Sequence, residues 1–198
     1  FTQTLETDHS ELLGQVMRDY WRRFCYSMQG QALAWVRSHW VSPDALLPRI
    51  RPLFGRVRAE QHGAEPAALI EASLQQRSEQ LARLKAPWLQ WAEELRQICR
   101  NALAAKQVDG RKMQARYFEP WFDKLHAWAT DEQQVELDLG TGFTRLTPAG
   151  MAEAWKGEPP AHPGLDAMQT LAQHLQALDS PDAPLLEHAA NWVSARFE

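Results

Sequence analysis

The chain has too few cysteines to be held together by anything but a core. It has two in 198 residues, Cys25 and Cys99. They are far apart, and each sits among helically spaced apolar positions, so a disulfide framework or a zinc site has nothing to build on. Both are expected to be buried free thiols. Long apolar runs are missing as well. No stretch approaches the roughly 18 uninterrupted apolar residues of a membrane span, and the first twenty residues lack the basic-then-apolar order of a signal peptide. These absences predict a soluble, cytoplasmic protein with no membrane partner. The chain begins at Phe1 without an initiator Met and stops at Arg196, Phe197 and Glu198 inside a helical pattern, so it reads as an excised piece.

Catalytic signatures are lacking too. The Gly140-Thr141-Gly142 turn resembles the start of a phosphate loop, but no Gly-Lys-Ser/Thr follows at the required spacing. His162, His174 and His188 are too far apart for a single-helix metal motif. Glu93 and Glu94 are adjacent and so face different directions on a helix, which suits a solvated face better than an acid/base pair. No serine lies in a G-x-S-x-G elbow and neither cysteine lies in a nucleophile signature. The fragment is therefore expected to be no enzyme, with no catalytic residue, no metal and no cofactor of its own.

An excess of positive charge is also lacking, since the formal net charge is -4. That average hides a division. The stretch from Arg18 to Lys124 holds 18 of the 21 basic residues but only 11 of the 25 acidic ones. Such asymmetry points to a basic working region and an acidic remainder.

What is present is hydrophobic spacing of three and four. With 44% of residues in the hydrophobic set, the chain can build one domain with a real core, or one core plus an arm. Asp8 with Glu11 resembles a capping box opening a helix whose apolar face is Leu13, Val16, Met17, Tyr20, Trp21 and Phe24. A short helix is expected over Ala32 to Trp40. Ser42 and Pro43 then form an N-cap and first-turn pair for a third helix, which Pro48 and Pro52 should distort.

From Pro66 to about Gln107 the apolar positions obey a heptad rule. Ile70, Leu74, Leu81, Leu84, Trp88, Trp91, Leu95, Ile98 and Ala102 step by four and three, with Arg77 in the one missing seam position. This predicts a long helix, roughly 60 Å if straight, projecting as an arm, with a kink or break near Lys85 because Pro87 removes a backbone donor. After an Asp109-Gly110 turn comes an aromatic helix. Its Phe118, Trp121, Phe122, Leu125 and Trp128 share a face and should return antiparallel along the long helix.

Val135, Leu137 and Leu139 alternate with acids but have no sheet to join, so they read as loop or a short hairpin. Thr147-Pro148 opens a helix that should end at Gly157. A Pro-rich loop through Pro159, Pro160 and Pro163 leads to another helix ending near Asp179, and a last one starts at about Pro184. The fold class is all-α: an irregular helical bundle with a long heptad-patterned arm, residues 1–198 forming a single domain.

Two features carry candidate function. The nine tryptophans offer stacking platforms for unpaired bases, although most lie on core-facing stripes; Trp155, beside Lys156, is the exception. The cations Lys106, Arg111, Lys112, Arg116 and Lys124 lie at and beside one tip of the predicted arm, where phosphate contacts would have reach. Arg49, Arg51, Arg56 and Arg58 are the fallback group. The competing reading is a protein-interaction scaffold that docks its heptad face and tryptophans on other subunits or other parts of the same chain.

A resemblance runs through these segments. Arg18 to Tyr26, reading Arg-Asp-Tyr-Trp-Arg-Arg-Phe-Cys-Tyr, resembles the Trp-Arg-Arg-x-Cys-Tyr run of the RecB family, subunits of exodeoxyribonuclease V. Ser42 to Leu47 resembles that family's Pro-x-Ala-Leu-Leu turn. Val108 to Lys112 resembles its Asp-Arg-Arg-Lys segment, with Gly110 where the family often has Arg. Trp121, Asp123, Lys124, Ala127 and Trp128 match a Trp-x-Asp-Lys-x-x-x-Trp spacing, and His162-Pro163 matches a helix-opening His-Pro. Each motif is short; their shared order makes the match specific.

The resemblance implies the helical insertion called 1B in the first motor domain of a superfamily 1 helicase, an arm holding duplex DNA ahead of the strand-separating junction. It further implies a parent that uses ATP and Mg to unwind broken ends, cuts strands in recombinational repair, and assembles with RecC- and RecD-like subunits. The remaining domains of the same subunit are also implied partners.

Overall fold

The computed structural model describes residues 2–56 and 63–196, with side chains from Ser10 onward. It is all-α: among the described residues there is no strand, only an isolated antiparallel bridge between Val108 and Trp155. The described backbone packs as two compact units, 1–77 with 179–198, and 78–178, where the sequence reading treats 1–198 as one domain. Each has its own hydrophobic core.

The first unit begins with α1, Thr2–Tyr20. This helix starts earlier than the Asp8 capping box predicts, so Asp8 lies inside it; the Asp8 side chain is outside the described residues. A π-helical turn, Trp21–Cys25, continues α1 and is closed by the Tyr26 N–H donating to the Trp21 carbonyl at 3.3 Å. Helix α2 is Gly30–His39 and α3 is Pro43–Ile50. The Ser42 hydroxyl accepts from the Ala45 N–H at 3.2 Å, the expected N-cap. Pro48 stays inside α3, whereas Pro52 falls in the following 3-10 turn, Arg51–Leu53.

The last helix, α10, is Asp182–Ser194, and it packs on α1 and α3. Met17, Tyr20, Trp35, Leu46, Ile50, Ile70, Leu185 and Val193 fill this core. Tyr20 is fully buried; its hydroxyl lies 3.0 Å from His188 Nδ1 and its ring packs edge-on to Trp192. The interior thus contains a polar pair that satisfies itself.

The long heptad segment breaks where the proline predicts. Helix α4, Pro66–Lys85, ends, a turn follows at Ala86 and Pro87, and α5, Trp88–Ala104, begins. The seam is one continuous stripe in sequence, but it serves two cores. Ile70 and Leu74 pack in the first unit, and Leu81, Trp88, Trp91, Leu95, Ile98 and Ala102 in the second. The changeover falls at Arg77, the polar residue in the seam and the last of the first unit's leading segment.

In the second unit α6, Ala115–Thr130, packs against α5. The pairings of Arg96 with Asp123 and of Arg100 with Glu119 make the two helices antiparallel. All five aromatic-face residues, Phe118, Trp121, Phe122, Leu125 and Trp128, are buried. Lys85 is buried beside them. Its ammonium donates to the Asp131 and Gln134 carbonyls at 2.5 Å each and lies 5.1 Å from the Trp128 ring centroid. Burial lowers its pKa, partly offset by Asp131 and Glu132.

Residues 133–139 are loop, with Leu139 buried. Three further helices complete this unit: α7, Gly142–Arg145; α8, Pro148–Ala154, capped by Thr147; and α9, Pro163–Gln176, capped by the His162 ring. Helix α8 stops three residues before Gly157, α9 three before Asp179, and α10 starts two before Pro184, each a small correction to the sequence boundaries. Gly150 is where α8 crosses α7: an added Cβ would lie 2.1 Å from the Thr144 carbonyl oxygen. Both cysteines are buried free thiols, and burial pushes each pKa up to about 12.

Candidate nucleic-acid interface

The connection between α5 and α6 carries the predicted basic tip, and its shape follows from how α5 ends. The Gln107 N–H donates to the Ala102 carbonyl at 2.9 Å and the Lys106 N–H to that of Leu103 at 3.1 Å. This is a Schellman closure, whose left-handed position is normally glycine. Here Lys106 occupies it, at φ 56°, the one non-glycine residue with positive φ among those described. A lysine therefore sits where the backbone disfavours any side chain, and that side chain is exposed.

The chain then runs beside the end of α8. Val108 bridges Trp155, the Asp109 N–H donates to the Ala154 carbonyl at 2.7 Å, and the Lys156 N–H to that of Gln107 at 2.8 Å. Asp109 accepts the Arg111 N–H through its carboxylate at 2.9 Å, fixing the turn.

Onto this frame the structure places the five candidates unevenly. Lys106, Arg111 and Lys112 share the connection. Lys112 Nζ donates to the Glu153 carbonyl at 3.1 Å. Arg116, in the first turn of α6, donates to the Tyr117 hydroxyl at 2.9 Å, its guanidinium carbon 4.9 Å from that ring's centroid. Lys124 is two turns further along α6 and donates to the Asp138 carbonyl at 2.9 Å. It belongs with Arg116 to a second locality, an open hollow of about 320 Å³ that also takes in Tyr117, Trp121 and the Gly140-Thr141 turn. Gly142 closes that turn over Trp121, whose ring would be 2.8 Å from an added Cβ. Gly142 serves packing, and Gly140 takes the left-handed backbone of the turn at φ 53°.

Charge compensation separates this cluster from the helix pair beneath it. Arg96 is bonded to Asp123 at 2.7 Å and Arg100 to Glu119 at 2.6 Å. Among the described residues none of Lys106, Arg111, Lys112, Arg116 or Lys124 is ion-paired; their partners are carbonyls and a phenol. All five side chains are exposed. Lys156, fifty residues from Lys106 in sequence, adds a sixth cation, its Nζ 3.4 Å from the Lys106 carbonyl. The sequence held a cue to it only in Lys156's place beside Trp155.

The tryptophans do not form a stacking surface. Among the described residues every one is buried or half-buried, and Trp155, expected as the exception, is half-buried against the second core. Of the fallback arginines, Arg49 is committed to Asp182 at 3.2 Å, and Arg58 lies outside the described residues. Glu94 is exposed as expected and bonds His162 Nε2 at 2.8 Å; its pKa is lowered, chiefly by its hydrogen bond from Gln90 and then by that from His162. Among the described residues no group of three or more metal-ligating side chains gathers, and no helix is long and apolar enough to cross a membrane.

By class this is an all-helical segment with two cores and an uncompensated basic connection. By relationship it is a RecB-related region. It is 30% identical over 187 residues to the RecBCD enzyme subunit RecB of Escherichia coli strain K12, covering 90% of this chain. It is 23% identical over 151 residues, 70% of the chain, to the same subunit of Haemophilus influenzae. The chain spans only 15% and 12% of the lengths of these relatives. No protein-family model matches it.

Proposed function

We propose that this chain is the helical 1B insertion of a RecB-type subunit and that it holds duplex DNA by its backbone, with no catalysis of its own. The parent would be a cytoplasmic ATP-dependent helicase and exodeoxyribonuclease of double-strand-break repair, using ATP and Mg through its other domains. It would be assembled with RecC- and RecD-like subunits. The observation that supports this most is the contrast in compensation. Cations on the α5–α6 interface have carboxylate partners, whereas those on the adjoining connection have none and stand in water, which suits charges destined for phosphates. The Schellman lysine adds to this, since a side chain kept at a position that prefers glycine is better explained by use than by stability.

The test is replacement of Arg111, Lys112 and Arg116 together by Ala in the assembled enzyme. Duplex affinity should fall similarly for all sequences, because phosphates carry no base identity. The slope of log affinity against log salt should become shallower by up to about 0.9 per lost contact. A folded variant with unchanged affinity and slope would refute the reading and favour the scaffold role.

A further inference from the structure

The first unit carries a pair of cations that, among the described residues, has no ion-pair partner, and it lies beside the π-helical turn. Trp21 to Cys25 form the π-helical turn, an insertion-like widening of a helix that is uncommon and recurs at functional sites. Its Arg22 is paired with Asp19 at 3.2 Å. Arg23 is not paired among the described residues; its guanidinium carbon lies 5.4 Å from the Phe24 ring centroid.

From the end of α10 comes Arg196, which donates to the Trp192 carbonyl at 2.8 Å and has its guanidinium carbon 3.2 Å from the Trp192 ring centroid. Phe24 and Trp192 pack edge to face, 5.9 Å between centroids, so the two cations rest on neighbouring rings. Burial first, then the charge of Arg23, lowers the pKa of Arg196, with Asp19 opposing. Tyr26, which closes the π turn, is 75% exposed.

Two like charges collected on an aromatic base repel, and Asp19, the acid that acts on Arg196, is already bonded to Arg22. We infer that Arg23 and Arg196 form an anion site for a nucleic-acid phosphodiester, separate from the basic connection of the second unit. Guanidinium suits this ligand because its planar fork meets two phosphate oxygens at once, and ring stacking holds the fork still. The pair itself is read from geometry alone, and the choice of a nucleic-acid phosphate as its ligand rests on the function proposed above.

The test is titration of the full chain with fluorescent single-stranded and duplex oligonucleotides across a salt series. The variants are Arg23→Gln with Arg196→Gln, and Arg23→Lys with Arg196→Lys. The Gln pair should flatten the salt slope by up to about 1.8 for duplex, or about 1.4 for a single strand, and the oligonucleotide affected identifies the source of the phosphate. The Lys pair should retain most of the slope while losing affinity, because charge remains and the fork is gone. If both variants keep the parent's slope and affinity for both oligonucleotides, the site does not exist. Should the Gln pair fail to fold, a Lys pair with undiminished affinity overturns the inference alone. Loss here with Arg111, Lys112 and Arg116 intact would not bear on the second unit.

Discussion

The two units spend their aromatic residues differently. In the second, Trp88, Phe118, Phe122 and Trp128 are sunk in a core with hardly any exposure, and the cations over it are neutralised by acids on the facing helix. In the first, Tyr20 and Phe24 meet a histidine, and Phe24 and Trp192 also support arginines at the surface. Both interiors hold a polar group against aromatic rings, the Lys85 ammonium over Trp128 in the second and the Tyr20–His188 pair in the first. The difference teaches that a high tryptophan content does not by itself mark a binding surface; what an aromatic residue does depends on what its polar neighbours are left to bond.

The sharpest way to break the comparison is Trp128→Ala. It removes the ring packed by Lys85 and leaves a cavity, so chemical denaturation should show a loss of about 3–5 kcal/mol. Hydrogen exchange should place that loss on amides of the second unit. A loss under 1 kcal/mol would mean that this core is not tightly packed.

The polar interior of the first unit should respond to pH instead. Burial lowers the pKa of His188, with Glu65 opposing, so the unfolded chain takes up the proton first. Stability should be full above the unfolded value of about 6.5 and fall as pH drops below it, levelling off once the folded histidine is also protonated. The midpoint of denaturation followed against pH should show this step, smaller than the tryptophan effect, and His188→Gln should flatten it.

The smallest effect has the opposite sign. Lys106→Gly relieves the left-handed backbone and should stabilise the second unit by up to about 1 kcal/mol, while lowering duplex affinity in the assembled enzyme. Gain in stability with undiminished binding would show that this lysine is not part of the interface.

Much of this was legible in sequence because it rests on local chemistry. Ser42 and Thr147 cap as their hydroxyls dictate, Pro87 breaks the long helix, and the aromatic face of α6 is buried as its spacing requires. What escaped is set by tertiary partnership. A heptad stripe reports that a face is apolar but not which core receives it, so the changeover at Arg77 was visible only as a gap. The π turn has no periodic signature in five residues. Of the five basic candidates, the sequence placed all near one tip, yet helical rise carries Lys124 away to the Gly140 turn and folding brings in Lys156 from a distant helix.

The first unit is also discontinuous, and this has a consequence for synthesis on the ribosome. Its core needs Leu185, Ala189 and Val193 of α10, which are made only after the whole of 78–178. Until then α1 and α3 expose the apolar face that α10 covers. Bringing the two ends of an unstructured stretch of about a hundred residues together carries a closure entropy near 4 kcal/mol. A second unit that folds as it emerges shortens that effective loop, so α10 arrives beside a waiting partner, and a variant that delays the second unit would leave the first exposed to chaperones and proteases for longer.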